Sequence, residues 1–297
     1  MLARLQRITT LSLLLAAIAW AVWFARAGRP GWAIGGALLI VFGYALFLGA
    51  EFVLLALVHG DDPAPRARPG QLLRAWWGEV LTAPQVFCWR QPFRSGAEPD
   101  HLPASAAGRR GLVMVHGFVC NRGLWNPWMA RLRGDGVPFV AVDLEPVFGS
   151  MDQYAPTIDA AVRRVAAATG LPPVLVGHSM GGLALRVWLQ RQAADARVHR
   201  IVTVGAPHRG TWLARFGHTA NGRQMRPGNP WLAQIARDDS PDRMARFTCF
   251  YGHCDNIVFP ASTATLPGAD NRHVAGVAHV EMLFRPQVFD EVRRWLA

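Results

Sequence analysis

The chain predicts an α/β domain, a mostly parallel sheet with helices on both faces, preceded by two transmembrane helices. Three observations carry that expectation. Strand-like and helix-like patterns alternate from Arg110 to the end, which calls for a parallel sheet with crossover helices. A buried-strand pattern at Val174–Val176 turns through Gly177-His178-Ser179-Met180-Gly181-Gly182 into a helical pattern. Two long apolar stretches occupy the first 58 residues.

Ile8 to Ala25 is apolar and free of charge, and Arg26, Gly28, Arg29 and Pro30 interrupt it. Gly31 to Ala50 is apolar again and continues past Glu51 to Val58. Each stretch approaches the roughly 20 residues that cross a bilayer. Trp20, Trp23 and Trp32 flank the break, as an interfacial belt would place them. Residues 1–60 therefore predict a membrane hairpin. The competing reading of the first stretch is a signal peptide, with Arg4 and Arg7 ahead of it and Ala25-Arg26-Ala27 as the cleavage site.

Residues 61–105 form a linker and lead-in. His59 to Arg68 is charged and proline-containing, Trp76, Trp77, Val80 and Leu81 have helical spacing, and Pro92, Pro99 and Pro103 mark loops around an edge element. The catalytic unit spans 106–297. Its strands are expected at Gly111–Val115, Val137–Val142, Pro173–Val176, Arg200–Val204 and Phe247–Tyr251, with helices over Pro156–Ala168 and about Gln287–Trp295. Residues 211–242 break the alternation with glycine, proline and aromatics. They predict a cap over the serine, whose Trp212, Met225, Trp231 and Leu232 offer apolar surface for a substrate.

The turn at Ser179 has the form of a nucleophile elbow. A serine in a strained strand-to-helix turn projects its hydroxyl above the sheet, and the flanking glycines let the two backbones crowd together. Met180 follows at the helix N-terminus, where its N–H can face an oxyanion. His116-Gly117-Phe118 closes the first strand, and the Phe118 N–H is the expected second donor. A base and an orienting acid should follow the serine in chain order. His279 and Asp255 fit, with His273 and Asp270 as runners-up, whereas Asp143 precedes the serine and His178 points away from it.

From about Arg110 onward the chain resembles the lipase/esterase branch of the α/β-hydrolase superfamily. The matching residues are His116-Gly117-Phe118, Gly177-His178-Ser179-Met180-Gly181-Gly182, Gly205-Ala206-Pro207-His208-Arg209-Gly210-Thr211, Asp255 and His279. The third group resembles the loop after the next strand in bacterial triacylglycerol-lipase-like proteins, and Met225-Arg226-Pro227-Gly228-Asn229-Pro230-Trp231-Leu232 resembles their cap. The resemblance implies an α/β-hydrolase fold and acyl transfer to water. Ser179 attacks an ester carbonyl, His279 takes its proton, Asp255 holds the imidazole, and the N–H groups of Phe118 and Met180 stabilise the oxyanion. No metal or organic cofactor is required.

The function expected is a membrane-anchored carboxylic-ester hydrolase for lipid-like or apolar esters. An acyltransferase sharing the acyl-enzyme and a catalytically silent membrane scaffold are the alternatives. An epoxide hydrolase would carry aspartate at the elbow. The net charge is +11 and, with no lysine in the chain, every basic residue counted in it is arginine, which suits an anionic membrane surface. No nucleic-acid-binding signature is present. Cys88, Cys120, Cys249 and Cys254 form no metal-ligand pattern. Arg4, Arg7, Arg66, Arg68 and Arg74 flank the hairpin's two ends, against Arg26 and Arg29 in its connection. That bias predicts a bacterial inner-membrane protein with a cytoplasmic-facing catalytic domain, the periplasmic face being the alternative.

Overall fold

A computed structural model describes all 297 residues, Met1–Ala297. The N-terminal region is helical: α1 (Leu2–Arg26), α2 (Pro30–Phe42), α3 (Tyr44–Leu57) and α4 (Pro69–Pro84), followed by a π-helical turn at Gln85–Arg90 and α5 (Gln91–Arg94). The remainder alternates β1 (Leu112–Val115), α6 (Asn126–Gly134), β2 (Phe139–Ala141), α7 (Ala155–Thr169), β3 (Val174–His178), α8 (Met180–Arg191) and β4 (Arg200–Val204). Short helices α9 (Ala220–Gln224), α10 (Pro230–Arg237) and α11 (Pro241–Met244) come next. Strand β5 (Phe247–Tyr251), β6 (Asp270–His273), α12 (His279–Leu283) and α13 (Pro286–Leu296) complete the chain.

The six strands form one parallel sheet in the order β2-β1-β3-β4-β5-β6, so the serine-bearing strand β3 lies inside it. Successive side chains point to opposite faces, and the core divides accordingly. Val113, Val115, Leu175 and Ile201 join a cluster of 29 buried residues on one face. Leu112, Met114, Val174, Val176 and Val202 join a cluster of 24 on the other. The register Leu112↔Val174↔Arg200 keeps these sets aligned across the three central strands. The expected lead-in edge element is a single antiparallel bridge between His101 and Phe139. All four cysteines are free thiols.

Of the two transmembrane helices expected, one is a clear candidate. Leu2–Arg26 alone is long and apolar enough to cross a membrane by itself. The second apolar stretch divides at Gly43 into α2 and α3, bent by 53°, and reaches a span's length only if the pair counts as one broken span. Glu51 lies beyond the bend, on α3. A carboxylate in hydrocarbon is costly, and the bend brings Glu51 against the catalytic domain, where it is 7% exposed and accepts a 2.6 Å hydrogen bond from Asn256 Nδ2.

Both ends of the hairpin rest on the same domain. Near its start, the Gln6 Nε2 donates to Val119 O at 3.2 Å and Arg7 Nη2 donates to Pro92 O at 2.8 Å. At its end, Phe52 and Leu55 pack with Ala75, Cys254, Phe259 and Ala278 in a third, smaller cluster. Trp20, Phe24 and Trp32 staple α1 to α2, and Trp20 Nε1 donates to Trp32 O at 2.8 Å.

Candidate active site

Ser179 sits between β3 and α8 with φ +55° and ψ −128°, a conformation that an L-residue adopts only under constraint. Its N–H donates to Val204 O at 2.8 Å, locking the turn to β4. The serine is 7% exposed. The loop after β1 lies directly over it: a Cβ placed on Gly117 would stand 2.8 Å from Ser179 Cβ, so only glycine allows that approach.

His116 fixes this loop from beneath. Its Nε2 accepts the Leu144 N–H at 3.0 Å, so the ring proton must lie on Nδ1, which reaches Gly117 O at 2.9 Å. Burial holds the imidazole below its ordinary pKa, which preserves that neutral tautomer. The next two residues, Phe118 and Val119, follow with Val119 at φ +53°. The N–H groups of Phe118 and Met180 donate to no other backbone carbonyl.

Asp255 and His279 are brought together across the carboxyl edge of the sheet. Asp255 follows β5, and His279 opens α12. Asp255 Oδ1 accepts the N–H groups of Ile257 and Val258 at 2.9 and 2.8 Å, which leaves Oδ2 facing His279 Nδ1 at 2.9 Å. The pair is almost wholly buried. With Nδ1–H donated to the carboxylate, Nε2 carries the free lone pair that a base needs. Burial opposes the imidazolium, but the charge and hydrogen bond of Asp255, then Glu79 and Glu51, leave His279 raised above its usual value. Gly205 sits against both members of the pair at φ +57°.

His178 is the neighbour that chain order left without a role. Its ring lies 4.7 Å from that of His279, centroid to centroid, and its Nε2 reaches the His279 carbonyl oxygen at 3.3 Å. It thus steadies the backbone of the second histidine. No hydrogen bond joins Ser179 to His279; of the three side chains only Asp255 and His279 are linked.

The runners-up lie elsewhere. Asp270 and His273 are exposed on the edge strand β6, where Asp270 pairs with Arg272 at 2.7 Å and His273 Nε2 meets His253 Nδ1 at 2.7 Å. Asp143 is exposed and accepts the Arg122 N–H. Within residues 211–242, Met225 and Leu232 are buried in the same cluster as Met180, with Phe118 and Trp231 packed at its margin. Trp231 Nε1 donates to Asp152 Oδ2 at 3.0 Å. Trp212 instead stacks on Phe259, 6.0 Å away, beside α3. Two further aromatics, Phe148 and Phe216, are exposed, and Phe148 meets the Phe118 ring edge-on at 5.9 Å.

Three comparisons bear on this arrangement. A family model described as "Alpha/beta hydrolase family" matches residues 112–296. A rice protein named "Probable esterase PIR7A" (Oryza sativa subsp. indica) is 32% identical over 123 residues, which is 37% of this chain and 46% of that protein. The chain thus spans about half the length of the curated relatives it matches. The mature form of Bacillus licheniformis lipase BlEst2 aligns with a TM-score of 0.57 at 19% identity, over 64% of this chain and 93% of that one. Aspergillus fumigatus lipase B aligns with a TM-score of 0.52 at 16% identity, over 64% of this chain and 53% of that one. At such identities these solved structures share the fold.

Proposed function

The chain belongs to the alpha/beta hydrolase family, and from that premise we propose that it is a membrane-anchored serine carboxylic-ester hydrolase acting on lipid-like or apolar esters. The observation that carries the proposal is the strained Ser179 beside the buried His279–Asp255 pair. Ser179 Oγ attacks the ester carbonyl as His279 Nε2 takes its proton. The oxyanion forms against the N–H groups of Phe118 and Met180, each such donor lowering the barrier by on the order of 3 kcal/mol. His279 returns the proton to the departing alcohol, then activates the water that releases the acid. Asp255 holds the imidazole and balances its charge throughout.

The esterase and lipase names among the relatives and fold neighbours support ester chemistry, and the apolar N-terminal helices support an anchored enzyme. In that topology α1 leaves the domain, and the bent α2–α3 pair returns to it, placing both hairpin ends on the domain side. The arginine bias supports a cytoplasmic position for that side in a bacterial cell. The test is a fluorophosphonate probe on the full chain, followed by a chain-length series of p-nitrophenyl esters. Probe attached to Ser179 and loss of turnover in Ser179→Ala by several orders of magnitude are expected. An unlabelled serine with no turnover would instead favour a silent scaffold. Ester products formed from an added alcohol would favour the acyltransferase.

A further inference from the structure

The hydrolase segment begins at residue 112, yet its reacting loops are held by side chains that precede it. Gln6 and Gln91 meet at 3.0 Å, Gln6 holds the carbonyl of Val119, and Gln91 accepts the Asn121 N–H at 3.2 Å, all beside the loop that carries Phe118. Two carboxylates do the same for the base. Glu79 of α4 accepts the N–H groups of Val280 and Glu281, one at each oxygen, both at 3.1 Å. Glu51 of α3 accepts from Asn256 Nδ2 at 2.6 Å, and Asn256 Oδ1 accepts the His279 N–H at 3.2 Å. The three consecutive N–H groups that open α12, from His279 to Glu281, are therefore all fixed by these two acids, one directly and one through Asn256.

We infer that Glu79 and Glu51 are positioning residues for His279, supplied by the N-terminal helices, so that these helices complete the catalytic base as well as holding the enzyme at a membrane. The inference rests on the proposed ester hydrolysis.

Local sequence cannot do this work. Ala278 precedes α12 and has no side chain to accept its first N–H groups. A bidentate carboxylate arriving from another element satisfies two of them together. Helix α4 must approach closely to deliver it, and Gly78 permits that, since a Cβ there would collide with the Glu281 carboxylate. Neither Glu51 nor Glu79 has an arginine partner, and they are 7% and 2% exposed. Burying two carboxylates without a cation costs stability. Apolar side chains would avoid that cost, but they would leave the α12 N–H groups open and put no negative charge beside His279. Burial pushes Glu79 up to about 7, against the pull of His279 and the two N–H groups, with Asp255 adding to the rise. The charged and titratable groups that face His279 are thus Asp255, Glu79, Glu51 and His178, with Glu281 against α4.

The experiment uses the full chain in detergent micelles with p-nitrophenyl butyrate. In Glu79→Gln the amide nitrogen turns a donor toward an N–H group. We expect kcat to fall about tenfold or more with KM little changed, and the acid limb of kcat/KM to move to lower pH because a negative charge near His279 is gone. Asn256→Asp sets two carboxylates face to face and should be similarly impaired. Adding Glu51→Gln restores a donor–acceptor match and should recover most of the loss. Wild-type kcat and an unmoved acid limb in a folded Glu79→Gln protein overturn the role of Glu79. A double variant no better than Asn256→Asp overturns that of Glu51, and it decides the matter should Glu79→Gln fail to fold. A wild-type protein without turnover or Ser179 labelling overturns the underlying hydrolase instead.

Discussion

His178 and His279 face each other with ring centroids 4.7 Å apart, yet their surroundings shift their pKa values in opposite directions. Burial, with the neighbouring His279 adding to it, holds His178 well below its ordinary value, so it stays neutral. His279 is raised, because Asp255 and the two glutamates outweigh burial. A base must be neutral to act, so activity is lost as pH falls through the raised value. The kcat/KM profile should show its acid limb above pH 6.5, the ordinary histidine value. A limb below that value in a full pH–rate profile would contradict the assignment.

Asp255→Asn should lower kcat by on the order of 10⁴, since the wrong tautomer leaves Nε2 protonated. His279→Ala should be at least as severe. Asp270→Asn, His273→Ala and Asp143→Asn should stay near wild type, because these side chains are exposed away from the serine. Purified variants assayed on one ester separate the two groups, and an inactive His273→Ala beside an active His279→Ala would reverse the base.

Gly205→Ala should cut activity and stability together. At φ +57° an alanine costs about 1–2 kcal/mol. Its Cβ would also stand 2.9 Å from Asp255 Oδ2 and 3.0 Å from His279 Nδ1. Thermal unfolding and kcat measured on one preparation check this, and an unchanged kcat would show that the pair yields without consequence.

Trp231→Ala should lower the melting temperature and leave chain-length preference alone, since its indole is tied to Asp152 and packed on the core. Phe148→Ala should do the reverse, because Phe148 is exposed against Phe118. A series of p-nitrophenyl esters from acetate to palmitate distinguishes them. Altered selectivity in Trp231→Ala would instead support the expected substrate cap at residues 211–242.

Alkaline phosphatase and green fluorescent protein fused after Pro69 should report a cytoplasmic junction in a bacterial host: fluorescence without phosphatase activity. The opposite pair of signals would put the domain outside and leave α1 as the sole crossing.

The parallel sheet and the elbow were legible because their signals are local. Val174–Val176 is a short apolar run, and Gly177 to Gly182 carries its own turn chemistry. Asp255 and His279 followed from chain order. Strand β6 was not legible, since Asp-Asn-Arg-His has neither alternation nor β-branched residues and pairs only at an edge. The bend at Gly43 hid inside an unbroken apolar run, with Glu51 as its one trace. Glu79 was invisible for a different reason: the N–H groups it holds lie 201 and 202 residues away. Hydropathy marks where a helix can lie in a membrane and carries nothing about what that helix holds at the other end of the chain.

Those separations also set an order of assembly. A ribosome releases α1 to α4 well before His279. The contacts of Glu51 and Glu79 close loops of more than 200 residues, which are slow to find. On the proposed reading, the serine therefore gains a correctly set base only once α3 and α4 are seated and the loop that carries His279 has docked on them.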